Sequence, residues 1–328
     1  MIRAGLQIPN FTYPGVPDAE LFQKVADLAT TAEASGFDTV LVMDHFYQLP
    51  GLGTPDDPMF EAYTLLGALA ARTERVQLGT LVTGVTYRNP AVLAKIVTTL
   101  DVISAGRAFL GIGAAWFDVE HHALGVEFPP IPERFDRLEE ALQICRAMFR
   151  GERPTIEGRH YQVRDAVNLP APIREGGPPI MIGGQGEKRT MPLMARYADA
   201  ANVIADLSAM PSKLASLANA CTVEGRDPAT LSTSPLVFLF AGDTEHEAQE
   251  KVADFVGARG VDWRSLDDAT KAAIGGRFII GDRDSATAQA KVLLDAGMDG
   301  ICVNLPADAA DTSAVARAGA ILTDALAG

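Results

Sequence analysis

The stretch TVLVMDHFYQ, residues 39–48, decides the fold. Thr39 to Met43 are apolar or β-branched without a polar interruption, the pattern of a strand covered on both faces. Asp44 and His45 follow at once. A doubly covered strand belongs to a parallel sheet clothed in helices, and the chain repeats that unit from end to end. Apolar runs at Ala4–Ile8, Asp38–Met43, Val76–Val82, 107–112, Pro179–Ile182, Ala201–Ala205, Pro235–Ala241 and Gly300–Leu305 give eight strand candidates, each followed by a helical pattern.

The helices carry their own punctuation. Leu21, Phe22, Val25, Leu28, Ala29 and Ala32 share one helical face, and Gly36 stops that helix. Asn89-Pro90 reads as a helix start, with Asn as the cap and Pro in the first turn. Eight strand-helix units predict a (β/α)8 TIM barrel with insertions. The rival doubly wound sheet lacks its glycine fingerprint, because QIPNFTYPG follows the first strand. The prolines and the Gly176-Gly177 pair between residues 151 and 178 mark an irregular insertion, with a short hairpin expected around Ile156 to Val163. No shift of composition marks a second domain, so residues 1–328 are read as one barrel domain. The insertion is expected to shape the entrance to the site.

Composition narrows the function. With 328 residues, 48% of them hydrophobic, the chain is long enough for a sizeable core. A net charge of −14 and the absence of any basic run argue against a nucleic-acid partner. No apolar stretch is long enough to cross a bilayer, and MIRAGLQIPN lacks the layout of a signal peptide, so a cytoplasmic protein is expected without a membrane partner. Cys145, Cys221 and Cys302 lie far apart in apolar segments and read as reduced core residues.

A barrel gathers its chemistry at the C-terminal ends of its strands. That rule places Asp44 and His45 after strand two, Thr83 and Gly84 after strand three, GIGAAWFDVE after strand four, IGGQGEK after strand five and Asn304 at strand eight. An imidazole can give or take a proton near neutral pH, so His45 is a candidate for acid-base work; a loop-capping histidine is the bland alternative. His121-His122 does not make a metal site, since adjacent helical residues point apart and no H-E-x-x-H spacing exists. No metal is expected. The turn from Ile182 to Arg189 offers glycine-freed backbone N–H groups ahead of a helix, which suits a phosphate. GTLVTGVTYRNP, residues 79–90, puts glycine at a strand end where a flat ring could approach the backbone.

MDHF after strand two, GTLVTGVTYRNPAVLAK across strand three, FLGIGAAWFDVEHHALGVEFP after strand four and PPIMIGGQGEKRTMPLMARYADAAN around strand five resemble the luciferase-like family of flavin and deazaflavin oxidoreductases, in its actinobacterial F420-dependent branch. The resemblance implies a homodimer that binds F420, or alternatively FMN, at the C-terminal face and acts on a small-molecule substrate. It implies that Asp44 contacts the coenzyme and has a part in catalysis beside His45, the proton-transfer residue. Leu81-Val82 falls at a non-prolyl cis peptide behind the ring, with Thr83 at the ring edge and Gly113 in the coenzyme-binding set. Gly183, Gly184, Gly186 and Glu187 match the turn that holds the phosphate.

Two positions depart from the family's sugar-phosphate dehydrogenase. Trp116 stands where that enzyme has an active-site glutamate, with Glu120 four residues on, and Leu49 stands where it has an aromatic residue. Trp116 and Glu120 are therefore substrate-side candidates for a different substrate. The sequence-level expectation is hydride transfer between F420 and a small carbonyl or unsaturated compound. An FMN-dependent monooxygenase and a non-enzymatic coenzyme carrier or redox sensor are the alternatives. An aldolase-type barrel is disfavoured, because no strand-end lysine could form a Schiff base.

Overall fold

A computed structural model describes residues 2–327. The first half of the chain gives β1 (Ala4–Ile8), α1 (Asp18–Ala34), β2 (Thr39–Val42), α2 (Ala62–Ala70), β3 (Gln77–Thr80), β4 (Thr83–Gly84), α3 (Pro90–Ile103), β5 (Leu110–Gly113), α4 (Asp118–Leu124), α5 (Ile131–Phe149), β6 (Ile156–Glu157) and β7 (Gln162–Val163). The second half gives β8 (Ile180–Gly184), α6 (Thr190–Tyr197), β9 (Ala200–Val203), α7 (Met210–Val223), β10 (Ser232–Ala241), α8 (Glu245–Gly257), α9 (Asp268–Ile274), β11 (Phe278–Gly281), α10 (Arg283–Asp295), β12 (Ile301–Asn304) and α11 (Thr312–Ala327).

The main sheet runs β3-β2-β1-β12-β10-β9-β8-β5-β4, with every pairing parallel. β4 continues β3 beyond a bulge at Leu81-Val82, whose peptide bond is cis. The ring therefore closes: Leu78 bridges to Ala108, and Thr83 pairs with Ile112. The eight expected strands are its staves. The expected strand Val76–Val82 is split by that bulge.

One strand was not expected. β11 lies along the upper half of β10, from Phe238↔Phe278 to Ala241↔Gly281, on the side opposite β12. Phe238, Phe240, Phe255, Trp263 and Phe278 hold it there as a separate aromatic cluster.

The insertion forms the β6–β7 hairpin and then runs down the outside of α3 and α5. Asn168 Nδ2 donates to Thr98 Oγ1 and to the Met148 carbonyl, and Asp101 accepts from the Ile173 N–H at 2.8 Å. From residue 168 on it is a strap on the flank, while the hairpin reaches the C-terminal end of β4, where the Tyr161 hydroxyl donates to the Val85 carbonyl at 3.2 Å.

Inside the barrel Ile2, Leu41, Phe109, Met181, Ala200, Leu236 and Cys302 form a core of their own, apart from the core between sheet and helices. Glycine admits the bulky members. A Cβ on Gly79 would lie 2.5 Å from the Phe109 ring, and one on Gly111 would lie 1.9 Å from the Thr80 carbonyl oxygen. The second contact is with backbone, which no rotamer change relieves. Gly111→Ala is expected to destabilise by about 3 kcal/mol or more, at or above the top of the usual range for overpacking. Gly257→Ala, in open space at the end of α8, should be neutral or mildly stabilising. Urea midpoints of the two variants measure the difference, and equal midpoints would contradict it.

Helix C-termini gather at the barrel's other end, and arginines satisfy their free carbonyls. Arg107 donates to Ala70, Thr73 and Val76, and Arg226 to Ala195 and Ala198. These two arginines cap the carbonyls that the helix ends leave open.

Candidate active site

Where β2 surfaces, the next side chains divide between two buried networks. Asp44 is 1% exposed, and both its oxygens accept from Arg88, Oδ2 at 2.6 Å and Oδ1 at 3.0 Å. The same guanidinium reaches Glu61 at 2.6 Å and lies over the Tyr63 ring. Burial pushes the Asp44 carboxyl up while Arg88 pulls it back. Burial alone would lower Arg88, but Asp44, Tyr63 and Glu61 raise it, so the guanidinium stays charged.

Thr83 is enclosed beside them. Thr80 Oγ1 donates to the Gly111 carbonyl, so Thr83 must donate to Thr80 at 2.9 Å and accept from the Tyr63 hydroxyl at 2.7 Å. The structure thus places Asp44 and Thr83 at the expected strand ends but commits their polar atoms to protein partners, not to the mouth. Arg88 and Tyr63 went unrecognised in the sequence. TYRNP put Arg88 at the rim of the third stave, but nothing in that stretch shows that its partners come from residues 44, 61 and 63.

The second network holds His45. Its Nδ1 lies 2.7 Å from Glu120 Oε1, and no group of the described residues meets its Nε2. Glu120 is fully buried at the start of α4. Its Oε2 accepts from the N–H groups of Phe46 at 2.6 Å and Tyr47 at 3.2 Å, and its Oε1 also accepts from the Tyr87 hydroxyl. Burial alone would raise the Glu120 carboxyl, but these donors together hold it below its usual value, so it is a carboxylate. The structure therefore sets Glu120 behind His45 and not in the path of a substrate, correcting that expectation. The separation of 75 residues hid the pairing from the sequence. Next to it, His121 is buried, which lowers its pKa; Nδ1 donates to the Phe117 carbonyl, and Nε2 meets the Thr86 hydroxyl.

Trp116 is 62% exposed. Its ring stands edge to face with His45 at 5.9 Å and leans on Phe117 at 5.3 Å. Ala115, at φ 58°, turns the chain to present it, and Arg134 Nη1 ties down that turn through the Ala115 carbonyl at 2.5 Å. A large apolar side chain is thereby displayed beside an imidazole.

Across the mouth, Val82 packs on two glycines. A Cβ on Gly113 would meet Val82 Cγ2 at 3.0 Å, and one on Gly183 would meet Val82 Cγ1 at 2.9 Å. Leu81 is buried, and its carbonyl accepts from Gln7 Nε2, whose Oε1 accepts in turn from Asn304. The result is a low ledge of backbone and one valine, suited to a flat ring.

The turn after β8 completes the rim. Gly184 has φ 147°, a conformation side chains rarely adopt, and a Cβ on Gly186 would meet Thr190 Oγ1 at 2.9 Å. Among the described residues, the N–H groups of Gln185, Gly186, Glu187 and Lys188 find no acceptor within the chain, so four donors lie ready for an anion at the entry to α6. Glu187 itself is paired with Lys213 at 2.7 Å. Ledge and turn fit a planar cofactor with a phosphate.

No group of three or more His, Cys, Asp or Glu that could hold a metal converges among the described residues. A cavity of about 350 Å³ between α7 and α10 is lined by Leu214, Leu217, Cys221 and Pro228; its one carboxylate, Asp299, is spent on Thr233.

A closed parallel barrel with its imidazole, buried carboxylates and open turn on the C-terminal rim has the architecture of a barrel enzyme. The family described as luciferase-like monooxygenase matches residues 3–319. The chain belongs to that family. It is similar to the F420-dependent glucose-6-phosphate dehydrogenases of Microbacterium testaceum, 41% identical over 170 residues, and Kineococcus radiotolerans, 40% identical over 164 residues. Those matches cover 51% and 50% of this chain and 48% of each relative, so the chain spans about half the length of the curated relatives it matches. The fold is shared with the F420-dependent tetrahydromethanopterin reductase of Methanopyrus kandleri, with TM-score 0.77, 21% identity and 97% of each chain covered. A monooxygenase from Streptomyces bottropensis gives TM-score 0.80 at 20% identity over 99% of each chain.

Proposed function

We propose that this protein is an F420-dependent oxidoreductase, moving a hydride between the deazaflavin and a small carbonyl, alcohol or unsaturated substrate. The observation that carries the reading is His45: one ring nitrogen is anchored on a buried carboxylate, and the other has no partner at the rim among the described residues. Similarity to dehydrogenases named for F420 supports the coenzyme. When bound, F420 supplies the hydride chemistry at its ring carbon. The ledge of Leu81, Val82, Gly113 and Gly183 would hold the ring, and the amides from Gln185 to Lys188, with Gly184 and Gly186 shaping the turn, would hold the phosphate. His45 exchanges the substrate's proton. Asp44, clamped by Arg88, fixes the segment that carries it. Trp116 gives the substrate an apolar wall, unlike what a sugar phosphate requires.

The protein is proposed to act as one barrel domain, in a cytoplasmic homodimer. Val92 and Ile103 on α3, with Leu169 and Ile173 on the strap beside it, are exposed apolar residues that pairing would cover. No described helix is long and apolar enough to cross a membrane.

Titration with F420 and with FMN side by side, followed by fluorescence, tests the coenzyme. Tighter binding of F420, and oxidation of reduced F420 by a panel of enones and aldehydes, is the expected result. Preference for FMN would favour a monooxygenase instead. Tight F420 binding without any substrate-dependent oxidation would favour a carrier or sensor.

A further inference from the structure

We propose that Glu120 is a positioning residue that keeps His45 protonated on Nδ1 and so leaves Nε2 as the atom exchanging a proton with substrate. The hydrogen-bond inventory carries the argument. A carboxylate has no proton to give, so the proton shared across the 2.7 Å contact must sit on Nδ1 of the neutral ring. Neutral imidazole carries one N–H, so Nε2 is then the acceptor.

Glu120 cannot turn to offer anything else. Oε2 is fixed by two backbone N–H groups of the residues that follow His45, and Oε1 by the Tyr87 hydroxyl. Tyr87 is itself held by stacking on His121 at 4.7 Å and by the edge contact with Phe46 at 5.2 Å. The other groups against the imidazole are the Trp116 and Phe117 rings, which supply no acceptor for Nδ1. One carboxylate thus staples the β2 loop to α4 and chooses the tautomer.

Glu120→Gln separates these two roles. Glutamine keeps the size but offers one oxygen where the carboxylate had two. The amides of Phe46 and Tyr47 are backbone and cannot move away, so the oxygen serves them and the NH₂ faces Nδ1. His45 must then accept at Nδ1 and carry its proton on Nε2, the wrong form for taking one from substrate.

The test is nitrogen NMR of the ¹⁵N-histidine-labelled apoprotein, with the His45 signals assigned by their loss in His45→Asn. The expected result is the Nδ1–H form in the parent and in Tyr87→Phe, and the Nε2–H form in Glu120→Gln. In turnover of an alcohol with oxidised F420, where the hydride passes to the coenzyme and Nε2 takes the hydroxyl proton, Glu120→Gln should lose roughly 10²- to 10⁴-fold in kcat, with KM and F420 affinity little changed. An Nε2–H parent, or a Glu120→Gln variant that keeps the Nδ1–H form, overturns the proposal. Should Glu120→Gln fail to fold, the parent and Tyr87→Phe spectra still decide. The kinetic arm rests on the F420 reading, whereas the spectra need no coenzyme, so the two can fail separately.

Discussion

A His45→Ala variant is expected to lose roughly 10²- to 10⁴-fold in kcat while binding F420 as tightly as the parent. The side chain is mostly buried, with 11% exposed, and its anchor is Glu120 rather than any group on the ledge or the phosphate turn. Removing the imidazole therefore takes away the proton exchanged with substrate and leaves the residues proposed to hold the coenzyme untouched. Single-turnover oxidation of reduced F420, paired with an equilibrium titration, separates the two effects. Unchanged turnover with F420 still bound would remove His45 from proton transfer.

Arg88→Met should produce the largest change in stability. Arg88 and Asp44 form a two-pronged pair with side chains 12% and 1% exposed. Breaking such a pair leaves a buried charge without its partner, at a cost of about 3–5 kcal/mol. The loss should depend on pH. Burial raises the folded-state pKa of Asp44, and without Arg88 nothing comparable opposes it. A carboxyl whose folded pKa lies above its unfolded value contributes stability below the unfolded value and loses it as pH rises through the folded one. The gap between parent and Arg88→Met should therefore be widest near pH 7 and shrink towards pH 4, as Asp44 takes up a proton and its uncompensated charge disappears. Chemical denaturation at both pH values measures it. A gap that widens on acidification would contradict the burial argument.

The staves were legible because a parallel strand covered on both faces leaves a continuous apolar run, as in Thr39 to Met43. β11 was not: its apolar run is only Phe278-Ile279-Ile280, set between Arg277 and Gly281, and its place along β10 is fixed by an aromatic cluster drawn from distant residues. The rim positions were legible too, since the rule that chemistry sits at strand ends needs only the strand. What those side chains do there depended on partners far away in the chain. Asp44 and Thr83 were expected to face the coenzyme, but Arg88 and Tyr63 enclose them. Glu120 was expected to face the substrate, but four donors draw it behind His45. Local pattern reports which residues reach the rim, and long-range pairing decides which atoms stay free. The glycine at position 184 could be read in advance as a turn requirement because that requirement is local: its backbone leaves the φ range that side chains adopt.

The most direct measurement is a crystal structure of the protein with F420 bound. Density for the coenzyme should cover the turn from Gly183 to Lys188 and extend over Val82 and Gly113 to within reach of His45. A coenzyme bound elsewhere, or a rim left empty by F420 but filled by FMN, would contradict the proposal that this barrel is built around a deazaflavin.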